Sequence, residues 1–191
     1  MIIGITGGIG SGKSAVAVFL SEAYGFVHIS SDEVAKDLMA SDQEMIAELK
    51  NAFGSDIYRE NGELNRQKYA EAIYKSEEKR RLSDRIVHPR VWEHIKSIAS
   101  SKDTCYVVET ALPGDSFREF CDEIWFVFVD KETRIRRLAE GRGYERAYAE
   151  SVIRSQQPDE YFRSFSDAEI DNSGSFEKTE EIIRKMIKER F

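Results

Sequence analysis

The stretch "GITGGIGSGKS", residues 4–14, follows directly on the apolar "MII". Glycine weakens strands and helices alike, so this stretch does not serve local stability. Its backbone must be approached closely by something else. Gly7, four residues, then Gly12-Lys13-Ser14 fits the phosphate-binding spacing G-x-x-x-x-G-K-[ST]. Ile2, Ile3 and Ile5 predict a short buried strand, and Lys13 to Tyr24 predicts a helix. Backbone N–H groups of such a loop, at the positive end of a helix dipole, suit a polyphosphate. Lys13 is expected to reach the β- and γ-phosphates, and the Ser14 hydroxyl to hold Mg²⁺. The dinucleotide pattern G-x-G-x-x-G is absent, because Lys13 stands where its third glycine is required. The stretch reads as a nucleoside triphosphate site.

With 191 residues, 41% of them hydrophobic, the chain can build one sizeable core with room for inserted subdomains. A net charge of −7 argues against coating a nucleic acid, whose phosphates are bound by excess Lys and Arg. Cys105 and Cys121 lie in or beside apolar runs, as expected of buried free thiols in a reducing cytosol. The first strand is expected to begin at once, which predicts no signal peptide before it. The apolar run "IWFVFV" is too short to span a membrane. The expectation is a cytoplasmic protein without nucleic-acid or membrane partners, its oligomeric state open, a monomer included.

Further strand-like runs are "VHIS" (27–30), "CYVVE" (105–109), "IWFVFVD" (124–130) and "AEID" (168–171). Apolar strands alternating with helices predict an α/β fold, a parallel sheet with helices on both faces. Roughly seventy residues separate the second run from the third, far more than one crossover needs. That interval predicts an inserted helical subdomain at about 32–88, with Pro89 stopping a helix near His88. Tyr58, Tyr69 and Tyr74 with Arg59 and Arg66 could serve an adenine and a phosphate there, or equally be core and surface. A second insertion, at about 132–163, carries Arg134, Arg136, Arg137, Arg142, Arg146, Arg154 and Arg163 and no lysine. Arginine grips phosphate oxygens in pairs, so one or two of these are expected to close over a nucleotide as a lid. The others fit a solvated helix face with Glu partners. Gly141 and Gly143 give Arg142 a mobile setting and make it the first candidate.

Three classes then compete: a kinase, a GTPase switch and an ATPase module. A guanine-reading N-K-x-D is missing, and the only D-x-x-G, "DNSG" at 171–174, follows the last strand. A motor-type ATPase needs further domains, for which the chain has no room. A small kinase needs an acceptor site, and "HISSDEVAKDL" supplies a candidate in Asp32, where a strand runs into a helix. Its carboxylate could take or orient the proton of an attacking hydroxyl. Ser30, Ser31 and Asp32 are also all good helix N-caps.

In these segments the chain resembles the dephospho-CoA kinase family. "GITGGIGSGKS" is similar to its phosphate loop, "SSDEVAK" to its D-A-D segment, and "NGELNR", "EEKRRLSDRIVHP", "IRSQQP" and "AEIDNSG" to its later segments. The resemblance implies a P-loop NTPase-type core, a helical CoA-binding insertion and an arginine lid. It implies ATP- and Mg²⁺-dependent transfer to the 3′-hydroxyl of dephospho-CoA's ribose. It marks Gly8, Gly10, Ser11, Gly12, Lys13, Ser14 and Ala15 as nucleotide-binding, Ser14 as metal-binding, and Lys13, Asp32 and Arg142 as catalytic. Ser30 replaces the first aspartate of D-A-D, and "ETALPGDS" replaces P-L-L-x-E, leaving Glu109, Thr110 and Asp115 without an assigned role. The rival reading is a kinase for another small hydroxyl acceptor, such as a nucleoside, nucleotide or sugar.

Overall fold

Short β-branched and aromatic runs form five strands: β1 (Ile2–Thr6), β2 (Val27–Ser30), β3 (Tyr106–Thr110), β4 (Glu123–Phe128) and β5 (Ala168–Asp171). The computed structural model describes residues 1–190. The strands form one parallel sheet in the order β2-β3-β1-β4-β5, so the phosphate-loop strand is central. Ile3 lies opposite Val107 on one side and Glu123 on the other. Helix α1 (Lys13–Tyr24) has the bounds expected, as does β5, whereas β3 and β4 are displaced by a residue or two.

Alternation along the strands divides the core into two faces. Ile3, Ile5, Trp125 and Val127 pack with Val16, Phe19 and Leu20 of α1. Ile183 and Met186 of the last helix, which spans Phe176–Arg190, join the same cluster. On the other face Phe126 stacks on Phe162, 5.5 Å between centroids. Gly4 lies beneath Phe117: a Cβ there would stand 2.5 Å from the Phe117 ring and 2.8 Å from Cys121 Sγ. Gly4→Ala is therefore expected to cost about 1–3 kcal/mol by overpacking. Urea denaturation would show it, and an unchanged midpoint would mean that Phe117 yields freely.

Residues Ser30–Ser100 form a separate compact unit of helices. Helices α2 (Ser31–Ser41), α3 (Gln43–Phe53), α4 (Arg66–Tyr74) and α5 (Glu77–Ile98) each begin at a side-chain cap: Ser30, Asp42, Asn65 and Ser76. Met45, Leu49, Ile57, Val91 and Ile95 are among its buried residues. Pro89 does not stop a helix; it lies inside the 22-residue α5. A proline there removes one backbone hydrogen bond and costs about 3 kcal/mol. The apolar stripe Val87, Val91 and Ile95 is buried on both sides of it, which offsets that loss. Arg90, next along, binds Glu48 at 2.8 Å and Glu44 at 3.3 Å and fastens α5 to α3.

The sheet unit continues with α6 (Asp115–Phe120), then α7 (Lys131–Arg142), α8 (Arg146–Arg154) and α9 (Asp159–Phe165) ahead of β5, and ends in α10, the helix Phe176–Arg190. Helices α7 to α9 occupy the arginine-rich insertion. Among the described residues no helix is long and apolar enough to cross a membrane.

Candidate active site

Strand β1 ends at Thr6 and the chain turns through Gly7, Gly10 and Gly12, all with positive φ. Gly12 occupies the N-cap of α1 at φ 88°, so no side chain caps this helix. Its first N–H groups are left for an anion. A β-carbon on Gly12 would collide with the Asn172 amide. Asn172 donates from Nδ2 to the Ser11 carbonyl at 2.8 Å and accepts from Thr179 Oγ1 at 2.8 Å. Arg137 donates to the Asn172 carbonyl at 2.8 Å. The "DNSG" segment thus braces the phosphate loop from beside β5.

Lys13 folds back over the loop, its Nζ 3.0 Å from the Gly7 carbonyl and 3.3 Å from that of Gly8. Ser14, the next residue, donates from Oγ to Glu109 Oε1 at 3.0 Å. Glu109 lies on β3 opposite Ile5 and is buried. Burial pushes its pKa up, but the nearby His28 imidazole, the Ser14 hydrogen bond and the charge of Lys13 outweigh this and leave it below the usual value. His28 Nε2 stands 3.3 Å from Glu109 Oε2. This close approach lowers the Glu109 pKa although it is not a well-aligned hydrogen bond, and it leaves Oε2 without a directed donor. A hydroxyl and an ionised carboxylate with a spare oxygen are hard donors of the kind Mg²⁺ prefers. Among the described residues no cluster of three or more His, Cys, Asp or Glu side chains could hold a metal ion.

Of the residues singled out in the sequence, Gly8, Gly10, Ser11, Gly12, Lys13, Ser14 and Ala15 form this loop and the first turn of α1. Asp32 belongs to the helical unit, in the first turn of α2, and is exposed. The cap is Ser30, whose side chain accepts from Glu33 N at 3.4 Å, so Asp32 does not have that task. Asp32 lines a cleft of about 780 Å³ with Lys36, Met39, Arg59, Leu64 and Arg66. Tyr58 and Tyr69 do not face it for stacking: both are buried, Tyr58 bonded to the Met39 carbonyl at 2.9 Å and Tyr69 to Ser83. Tyr74 is exposed.

Arg142 ends α7, exposed and without an ion pair among the described residues, and Gly143 follows in the left-handed region at φ 66°. Arg146 and Arg163 behave as a solvated helix face does, pairing with Glu132 at 2.8 Å and Glu169 at 2.6 Å. Arg134 does not: it is buried. Thr110 and Asp115 have local tasks, Thr110 Oγ1 accepting from Leu112 N at 3.2 Å and Asp115 opening α6. Sequence reasoning left Glu109 unassigned, counted Arg134 only as one of seven arginines, and passed over Asn172 and Gln156. The signal available was the segments "IRSQQP" and "AEIDNSG", without a role for any one residue.

This architecture has known counterparts. The chain is 36% identical over 187 residues to a dephospho-CoA kinase of Carboxydothermus hydrogenoformans, covering 95% of this chain and 90% of the relative. It is 37% identical to one of Corynebacterium glutamicum, covering 98% and 96%. The solved dephospho-CoA kinase of Campylobacter jejuni superposes with a TM-score of 0.69 at 18% identity, over 98% of this chain and 96% of that one, a likeness of fold. The family model for dephospho-CoA kinase, CoaE, matches residues 1–178. With that match running from the phosphate loop through the segment that braces it, the chain belongs to the dephospho-CoA kinase family.

Proposed function

We propose that the chain transfers the γ-phosphoryl group of ATP to the 3′-hydroxyl of dephospho-CoA's ribose, giving coenzyme A and ADP. The observation that carries this is the uncapped start of α1 beside Lys13 and the Ser14–Glu109 pair, in a member of an ATP-using kinase family. A kinase for an unrelated nucleoside or sugar is not favoured by that membership.

The acceptor oxygen attacks the γ-phosphorus, the bond to the β–γ bridging oxygen breaks, and ADP departs. Asp32 takes or orients the proton that the hydroxyl loses. Lys13 neutralises charge on the β- and γ-phosphates, and the α1 N–H groups receive the phosphate oxygens. Ser14 and Glu109 fit Mg²⁺, which when bound supplies further positive charge against the phosphates. Arg142, exposed at the end of α7, reaches over the phosphates as the lid arginine. The cleft beside Asp32 combines Lys36, Arg59 and Arg66 with Met39 and Leu64, which suits an acceptor that is phosphorylated at one end and partly apolar. Cys121 is a buried free thiol, in keeping with a reducing compartment such as the cytoplasm.

The test is an acceptor comparison with purified protein, ATP and Mg²⁺. ADP release should depend on dephospho-CoA and stay near background with AMP or adenosine. Equal turnover with adenosine would transfer the reading to another hydroxyl acceptor.

A further inference from the structure

Among the described residues only two charged side chains are buried, Glu109 and Arg134. A guanidinium taken out of water must be matched by partners, because burying an unpaired charge is expensive. Arg134 extends from α7 to the phosphate loop. Its Nε donates to the Ile9 carbonyl at 3.0 Å and one terminal nitrogen donates to Gln156 Oε1 at 2.9 Å. Gln156, between α8 and α9, also accepts from Ile9 N at 2.8 Å with the same Oε1. Both polar backbone groups of Ile9 are therefore held by side chains of the arginine-rich insertion. Asp159, 3.8 Å from the other terminal nitrogen, is a weaker partner than either. The guanidinium lies where a β-carbon of Gly8 would be, so the bare Gly8 backbone is what admits it.

A loop with glycine at positions 7, 8, 10 and 12 is costly to hold in one conformation, because glycine loses the most backbone freedom on ordering. A ligand that had to order it would lose that free energy from its affinity. Asn172 fixes the loop at Ser11, and Arg134 with Gln156 fixes it two residues earlier. Occupying Ile9 on both sides takes its peptide groups out of phosphate binding, while the N–H groups at the start of α1 stay open.

We infer that Arg134 and Gln156 are positioning residues for ATP: through the Ile9 peptide groups they set the phosphate loop before the nucleotide arrives, and tie it to the lid helices. This rests on the nucleotide reading above. Arg134 would then act on the backbone of the loop, whereas a lid arginine acts on the phosphates themselves.

The experiment is a double-substitution cycle on ATP affinity, by calorimetric titration without acceptor. Arg134→Lys keeps the charge but loses the fork that spans Ile9 and Gln156. Gln156→Ala removes the oxygen that holds the Ile9 N–H. Each should weaken ATP about tenfold, as loss of a charge-assisted or buried hydrogen bond would. The double variant should be much less than a hundredfold weaker, because both act on one peptide unit. Merely structural residues would lower the melting temperature while leaving Kd per folded molecule unchanged. Either folded variant binding ATP within about twofold of the parent, or strictly additive losses, would overturn the inference. If Arg134→Lys fails to fold, Gln156→Ala decides by the same affinity criterion. A parent chain that does not bind ATP would overturn the nucleotide reading itself; a binding parent with unaltered variants overturns only the inference.

Discussion

Lys13→Ala is expected to give a folded protein that transfers phosphate at about one-thousandth of the parent rate or less. Among the hydrogen bonds this substitution removes are those to the carbonyls of Gly7 and Gly8, at 3.0 and 3.3 Å. Gly7 and Gly8 are buried, so leaving their carbonyls without these donors destabilises the protein by about 1–3 kcal/mol. The effect on turnover is larger because the ammonium meets charge that moves toward the β–γ bridge as the bond breaks. Nothing else in the loop supplies a mobile positive group, since the α1 N–H groups carry only partial charge. Single-turnover ADP release, with circular dichroism for folding, separates the two effects. Turnover within tenfold of the parent in a folded protein would remove Lys13 from the mechanism.

Asp32→Asn should lower kcat by about 10²- to 10⁴-fold, the usual range for loss of a positioned general base. The structure makes this substitution a clean one. Ser30 holds the cap of α2, and Asp32 is an exposed first-turn residue. Its contribution to stability is the interaction of its charge with the helix dipole, about 0.3–1 kcal/mol. A melting curve should therefore hardly move, and ATP affinity should stay near normal with Lys13 and Ser14 intact. Full kcat would leave Asp32 without a chemical role, and early melting would make its carboxylate structural.

Several parts of this molecule could be read before any coordinates. The loop from Gly7 to Ser14 is one, because phosphate recognition there uses adjacent residues and its spacing survives in the sequence. The limits of α1 followed from the same run. Asp32 was harder, since three consecutive residues could each cap a helix and only backbone geometry chooses Ser30. Glu109 meets Ser14 across 95 positions, a pairing that depends on β3 lying beside β1. Arg134 was one of seven arginines, and nothing in its neighbours distinguishes the one that is buried from those paired with glutamates on the surface. Pro89 misled because its local cost is real, while the packing that offsets it comes from other helices. Tyr58 and Tyr69 look like ligand stackers in composition and serve as core in fact.

The place of β1 in the sheet also bears on how the chain comes to exist. Both partners of β1 lie more than one hundred residues further on, Val107 and Glu123 facing Ile3. During synthesis the first strand must wait, unpaired, while the whole of Ser30–Ser100 leaves the ribosome. That helical stretch contains its own core, with α2, α3 and α4 packed on α5, so its contacts can close once Ser100 has been made. The nucleotide loop, by contrast, stays without its braces until Gln156 and Asn172 have been made. A nascent chain is thus kept from assembling its phosphate loop until nearly all of the sequence is available.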